Sequence, residues 1–81
     1  MGLSNIVKRL NKYQDRLAEG KAEKIKSRHI QKAIEKLAAK EIELTAELQD
    51  VTKLEKRKRL NQKISTIHEQ IEKAKWLEKQ I

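Results

Sequence analysis

The sequence predicts an all-α fold: an antiparallel, coiled-coil-like helical hairpin preceded by a shorter amphipathic N-terminal helix. Three observations predict it. Forty percent of the residues are charged, none is proline and only two are glycine, a composition that favours long helices over sheet. The large apolar residues recur at alternating steps of three and four, the spacing of a helical seam. The seams of the second and third segments are also mirror images of one another about a point between residues 55 and 56.

The first element is expected over 1–19. Leu3, Ile6, Val7, Leu10, Tyr13 and Leu17 form its apolar stripe, with Ser4 or Asn5 placed to cap its start. Gly20 sits where a helix stop belongs, although a lone glycine costs a continuing helix only ~1 kcal/mol. The second element is expected over 21–51, with Ile30, Ile34, Leu37, Leu44, Leu48 and Val51 as its interface. Glu41 interrupts that series beside Ile42. The third is expected over 52–81, with Leu60, Ile64, Ile67, Ile71, Ala74, Leu77 and Ile81. Within 18–29 only Ile25 is a large apolar residue, so this stretch is expected to pack least.

Continuing the second stripe in register would require apolar residues at Glu55, Lys58, Gln62 and Ser65, so the register breaks across 52–59. Folding the chain about its mirror point brings Leu37 to Ala74, Leu44 to Ile67 and Val51 to Leu60, the pattern of an αα-hairpin. The stretch "KLEKRKRL" at 53–60 then lies at the tip. No Gly, Pro or Asn marks the turn within 52–59. "TKLE" at 52–55 resembles a capping box with Thr52 as cap and Glu55 reaching back, which would move the turn to Asp50–Thr52. A sharply bent continuous helix is the alternative. One narrow seam per helix buries little, so the 81 residues are expected to form a single small domain, completed as a three-helix arrangement or as a dimeric bundle.

Charge is unevenly placed. Residues 1–29 hold eight cations and three acids, 30–51 three and five, 52–63 six and one, and 64–81 three of each, so the net +8 resides in the N-terminal third and the tip. Cations occupy eight of the nine positions at every fourth residue from 8 to 40. Like charges at that spacing oppose helix formation, so local stability does not account for the ladder. Lys53, Lys56, Arg57, Lys58 and Arg59 at the tip, with Lys24, Arg28, Lys32 and Lys36 on the ladder, are the candidate contacts to a polyanion or an acidic partner. The plainer reading is a solvated helix surface.

Catalytic signatures do not rise above background. His29 and His68 are expected too far apart to share a metal, and Ser65, His68 and Glu72 on one helical face lack an oxyanion hole and a substrate cleft. No glycine-rich phosphate loop occurs, and Tyr13 and Trp76 are too few for a single-strand stacking platform. The chain is expected to be a non-enzyme with no cofactor, no bound metal and no small-molecule substrate. With no cysteine, no membrane-span-length apolar run and no signal-like apolar region, it is expected in the cytoplasm. The leading expectation is an adaptor or assembly subunit in a larger protein complex, joined through self-association or a protein partner. The second is a small helical bundle binding duplex DNA or structured RNA through phosphates. The third is peripheral attachment of the N-terminal helix to an anionic membrane.

Overall fold

The computed structural model describes residues 3–81. Met1, Gly2 and the side chain of Leu3, where the N-terminal stripe was expected to begin, lie outside the described residues. Helix α1 spans Leu3–Ala18, a single 3-10 turn spans Ala22–Lys24, α2 spans Ser27–Asp50 and α3 spans Leu54–Gln80. Ser4 and Asn5 are helical rather than capping residues.

The break after α1 is a glycine stop. Gly20 has φ +75°, a conformation that costs an L-residue with a Cβ but not glycine. Its N–H donates to the Leu17 carbonyl at 3.1 Å and the next N–H, of Lys21, reaches back to Arg16 at 2.8 Å. This pair of bonds is the Schellman closure of a helix end. The following segment does not continue as helix, as expected over 21–26, but makes the 3-10 turn and then an extended step through Ile25 and Lys26. Nor is it unpacked: Ile25 is 5% exposed and joins the core. Its single large apolar side chain is enough to pin the connection.

α2 and α3 pack as an antiparallel hairpin. The reversal occupies only Val51–Lys53, so the basic stretch at 53–60 is mostly the first two turns of α3 rather than a loop. Thr52 caps nothing. Lys53 is the N-cap residue of α3, without a side-chain cap bond, and the expected capping box is absent. The turn needs no glycine because its residues stay extended, with Val51 at φ −96° and Lys53 at φ −70°. Moving the turn towards residue 52 also shifts the pairing. His68 faces Glu41, at 2.7 Å, where the mirror point had placed it against Glu43. Ser27 Oγ donates to Glu78 Oε2 at 3.2 Å, joining the far ends of the two helices.

The seam is otherwise as expected. Ile30, Leu37, Leu44, Leu60, Ile67, Ala74 and Leu77 are buried, with Ile34, Leu48, Val51, Ile64 and Ile71 packed against them. Ile81 is the exception, 39% exposed just past the end of α3. α1 lays Ile6, Leu10 and Tyr13 into the same core. Lys73 Nζ donates to Asn11 Oδ1, and Tyr13 meets α2 near His29, so α1 lies over the half of the hairpin remote from the turn. The molecule is therefore three helices thick at this base and two at the tip, within an envelope of 47 × 21 × 18 Å. Its accessible surface, 5982 Å², exceeds by about a fifth the ~5,000 Å² expected of a compact chain of this mass.

Candidate binding surfaces

The tip owes its closure to one cation. α2 has no basic residue in its last turn to meet its free carbonyls. Arg57, one turn into α3, supplies the missing donor: its Nη1 donates to the Leu48 carbonyl at 3.0 Å and the Val51 carbonyl at 2.9 Å. A guanidinium at the negative end of the α2 dipole gains from the charge and from two carbonyl acceptors, of which Leu48 also takes the Val51 N–H at 3.3 Å. Arg57 is thus half-buried and engaged in the turn, unlike the free contact residue expected from sequence. A local reading of the α2 C-terminus misses it because the donor arrives from the next helix. The one signal available was the absence of turn residues, which required some other means of closing the chain reversal.

The other tip cations, Lys53, Lys56, Lys58 and Arg59, are exposed. A cleft of about 720 Å³ is lined by Lys53, Lys56, Arg59 and Lys63, by Leu54 and Leu60, and by Glu47 and Glu55. Leu54 is 68% exposed, so this surface is cationic and apolar at once.

The ladder does not wind along one helix. The stop at Gly20 puts Lys8, Lys12 and Arg16 on α1, Lys24 in the 3-10 turn, and Arg28, Lys32 and Lys36 on α2. Arg16 is occupied locally, over the Tyr13 ring at 5.8 Å and against the Lys24 carbonyl at 3.4 Å. Lys24, Arg28, Lys32 and Lys36 are exposed at the base. At 1.5 Å per residue, roughly 20 Å of hairpin separates Lys36 from the tip cations. The acidic stretch around Glu41, Glu43 and Glu47 lies between them, so the two groups of candidate contacts are separate patches.

Where α1 crosses α2, Lys32 and Lys36 meet Arg9, Tyr13 and His29 around a cleft of about 330 Å³ with no carboxylate in its lining. Tyr13 and His29 were not among the sequence candidates for contact, and Arg9 entered only as one of the N-terminal helix cations that would face an anionic membrane. Their convergence depends on two helices crossing, and no spacing along the chain encodes it. Across the described residues only two of the 20 Lys and Arg side chains form ion pairs: Lys21 with Glu19 at 3.4 Å and Lys40 with Glu43 at 3.5 Å.

Of the residues that superficially imitate a catalytic set, His68 and Glu72 line one cleft together with Glu41, and Ser65 lies outside that lining. His68 Nε2 pairs with Glu41 of the opposite helix, and Ser65 and Glu72 are exposed. No group of three or more metal-ligating side chains occurs among the described residues. The apolar stripe on which membrane attachment would rely, Ile6 and Leu10, is buried in the bundle. No helix among the described residues is long and apolar enough to cross a membrane. Trp76, 47% exposed, sits outside the core on the outer side of α3. Comparison of the chain with protein-family models, with curated proteins and with solved structures finds no match.

Proposed function

We propose that the protein is a non-enzymatic helical interaction module, an adaptor or assembly subunit that docks on an acidic protein partner through the tip of its hairpin. The observation that carries this reading is the composition of the tip surface: exposed Lys53, Lys56, Lys58 and Arg59 around a 68% exposed Leu54. A bare cation surface suits any polyanion. A leucine standing among the cations suits a protein face that offers an apolar pocket ringed by carboxylates, because burying it contributes affinity that phosphates cannot supply. The tip is also where the bundle is only two helices thick, so docking there covers surface that the chain itself leaves open. The excess accessible surface, on the order of 900 Å² by the same scaling, is comparable to one side of a standard protein interface.

The test uses labelled polyglutamate as the acidic probe, followed by fluorescence anisotropy. Converting Lys53, Lys56, Lys58 and Arg59 to Gln should weaken binding at least about tenfold at low salt, with little effect at high salt. The thermal transition should be unchanged, since none of the four is buried. Leu54→Ser should leave polyglutamate binding intact but weaken binding to a glutamate-rich amphipathic peptide. Equal affinity of the parent and the four-residue variant for polyglutamate would rule the tip out as the docking surface.

A second reading, binding of duplex DNA or structured RNA through phosphates, is favoured by the near absence of ion pairs on so basic a surface. It predicts a salt slope of roughly 0.7–0.9 per phosphate contacted and little sequence preference.

A further inference from the structure

The geometry points to a phosphate-binding seat at the crossing of α1 and α2, formed by Arg9, Tyr13, His29, Lys32 and Lys36. It rests on the broader reading only in taking an anion as ligand, and it lies at the opposite end of the molecule from the tip. Three cations line the cleft and no carboxylate does, whereas the tip cleft includes Glu47 and Glu55. None of the three forms an ion pair among the described residues. Their grouping has a cost. Lys32 and Lys36 repel at i,i+4, and Arg9 brings a third positive charge from across the helix crossing. α2 begins with no acid in its first turn to offset them.

Tyr13 supplies the second half of the argument. Its ring is packed into the core at 9% exposure, yet its side chain makes no hydrogen bond among the described residues. Nor is its hydroxyl among the buried polar atoms left without a partner. The phenol therefore meets solvent where the ring borders the cleft, a donor on a packed ring beside three exposed cations. A tetrahedral oxyanion carrying two or more charges fits this set. A guanidinium grips two of its oxygens, ammonium groups act as point charges on the others, and the phenol donates to a remaining lone pair. A carboxylate, with one charge and two oxygens, would leave donors unused. The ligand class is thus a phosphate group, carried either by a free phosphorylated molecule or by a nucleic-acid backbone.

The test follows amide NMR shifts of the isotope-labelled full chain titrated with pyrophosphate, at ionic strength held constant with chloride. The expected result is saturable shifts centred on residues 9, 13, 29, 32 and 36. Arg9→Gln with Lys36→Gln should weaken binding about tenfold or more, from the loss of two charge-assisted contacts. Tyr13→Phe retains the buried ring and should weaken it severalfold while leaving the thermal transition in place. Lys56→Gln, Lys58→Gln and Arg59→Gln together remove more charge but should change it less than about twofold, the tip being beyond a Debye length. Non-saturating shifts, shifts spread evenly over all basic residues, or equal weakening by tip and cleft variants would overturn the site. Polyglutamate competing as well as pyrophosphate would overturn its preference for phosphate. A short duplex forms the second arm. If the cleft variant also loses duplex binding the phosphate is the backbone's, and if only pyrophosphate binding falls it belongs to a free molecule. Polyglutamate binding at the tip is read separately, so failure of either site leaves the other measurable.

Discussion

The base and the tip of this molecule are built on the same two heptad-like seams but solve different packing problems. At the base, Ala33, beside the seam, and Leu77, within it, are buried, and α1 closes that end with Leu10 and Tyr13. Moving towards the tip in steps of seven keeps to the same helical stripe. The equivalents of Ala33 are Lys40 and Glu47, and those of Leu77 are Gln70, Lys63 and Lys56. The stripe that is apolar at one end is charged at the other. A third helix has an apolar bed at the base and none at the tip, which is why a 16-residue α1 covers one half of a longer hairpin. The charged half is left in water, and there the cations stand around Leu54. The base buries its seam beneath α1, leaving Trp76 and Ile81 exposed on α3, and gathers Arg9, Lys32 and Lys36 around Tyr13 at the rim of α1.

If that contrast is real, core truncations should separate the two ends. Leu37 is fully buried at the base and Leu60 is 4% exposed at the tip. Leu37→Ala should cost ~3–4 kcal/mol and Leu60→Ala nearer ~2, because a site in a two-helix layer can collapse or admit water more easily than one under a third helix. Urea denaturation measures both. Equal losses would mean that the tip is as well enclosed as the base.

Next in size is the closure of the tip. Arg57→Ala removes the bonds to the Leu48 carbonyl in the last turn of α2 and to the Val51 carbonyl just past it and should cost ~1–2 kcal/mol, a figure reduced from that of fully buried charged donors because the side chain is half-buried. Hydrogen exchange should quicken in residues 48–57 and stay slow in α1. Arg57→Lys should recover only part of the loss, since one ammonium has no planar fork to hold in place. If exchange rises evenly along the chain, Arg57 is not specific to the tip.

The smallest effects distinguish the two chain reversals. Gly20→Ala should cost ~1 kcal/mol from the left-handed backbone alone, as a Cβ there would meet nothing within 4 Å. Thr52→Ala, at the other reversal, should fall within about 0.5 kcal/mol of neutral, because Thr52 makes no cap. A Thr52→Ala loss near ~1 kcal/mol, the size of a lost N-cap, would restore the capping box. Thermal melts of both variants decide it.

The sequence by itself determined the all-α class, the three helices, the stop at Gly20 and nearly every seam residue from Ile30 to Leu77. These depend on periodicity and on one glycine, properties that act over a few residues and can be read along the chain. Tertiary structure decided the rest. The turn settled at Val51–Lys53, one residue beyond the Asp50–Thr52 position offered by the sequence, with Arg57 of the following helix closing it. Thr52, well placed for a cap by spacing, was left without one. Ile25, the one large apolar residue of its stretch, joined the core, and Ile81 did not because it lies just past the last turn of α3. The cleft of Arg9, Tyr13, His29, Lys32 and Lys36 exists only where two helices cross, and the ladder of cations was divided among α1, the 3-10 turn and α2 once Gly20 turned the chain back. Each of these depends on distances between residues far apart in sequence, which helical spacing alone does not fix.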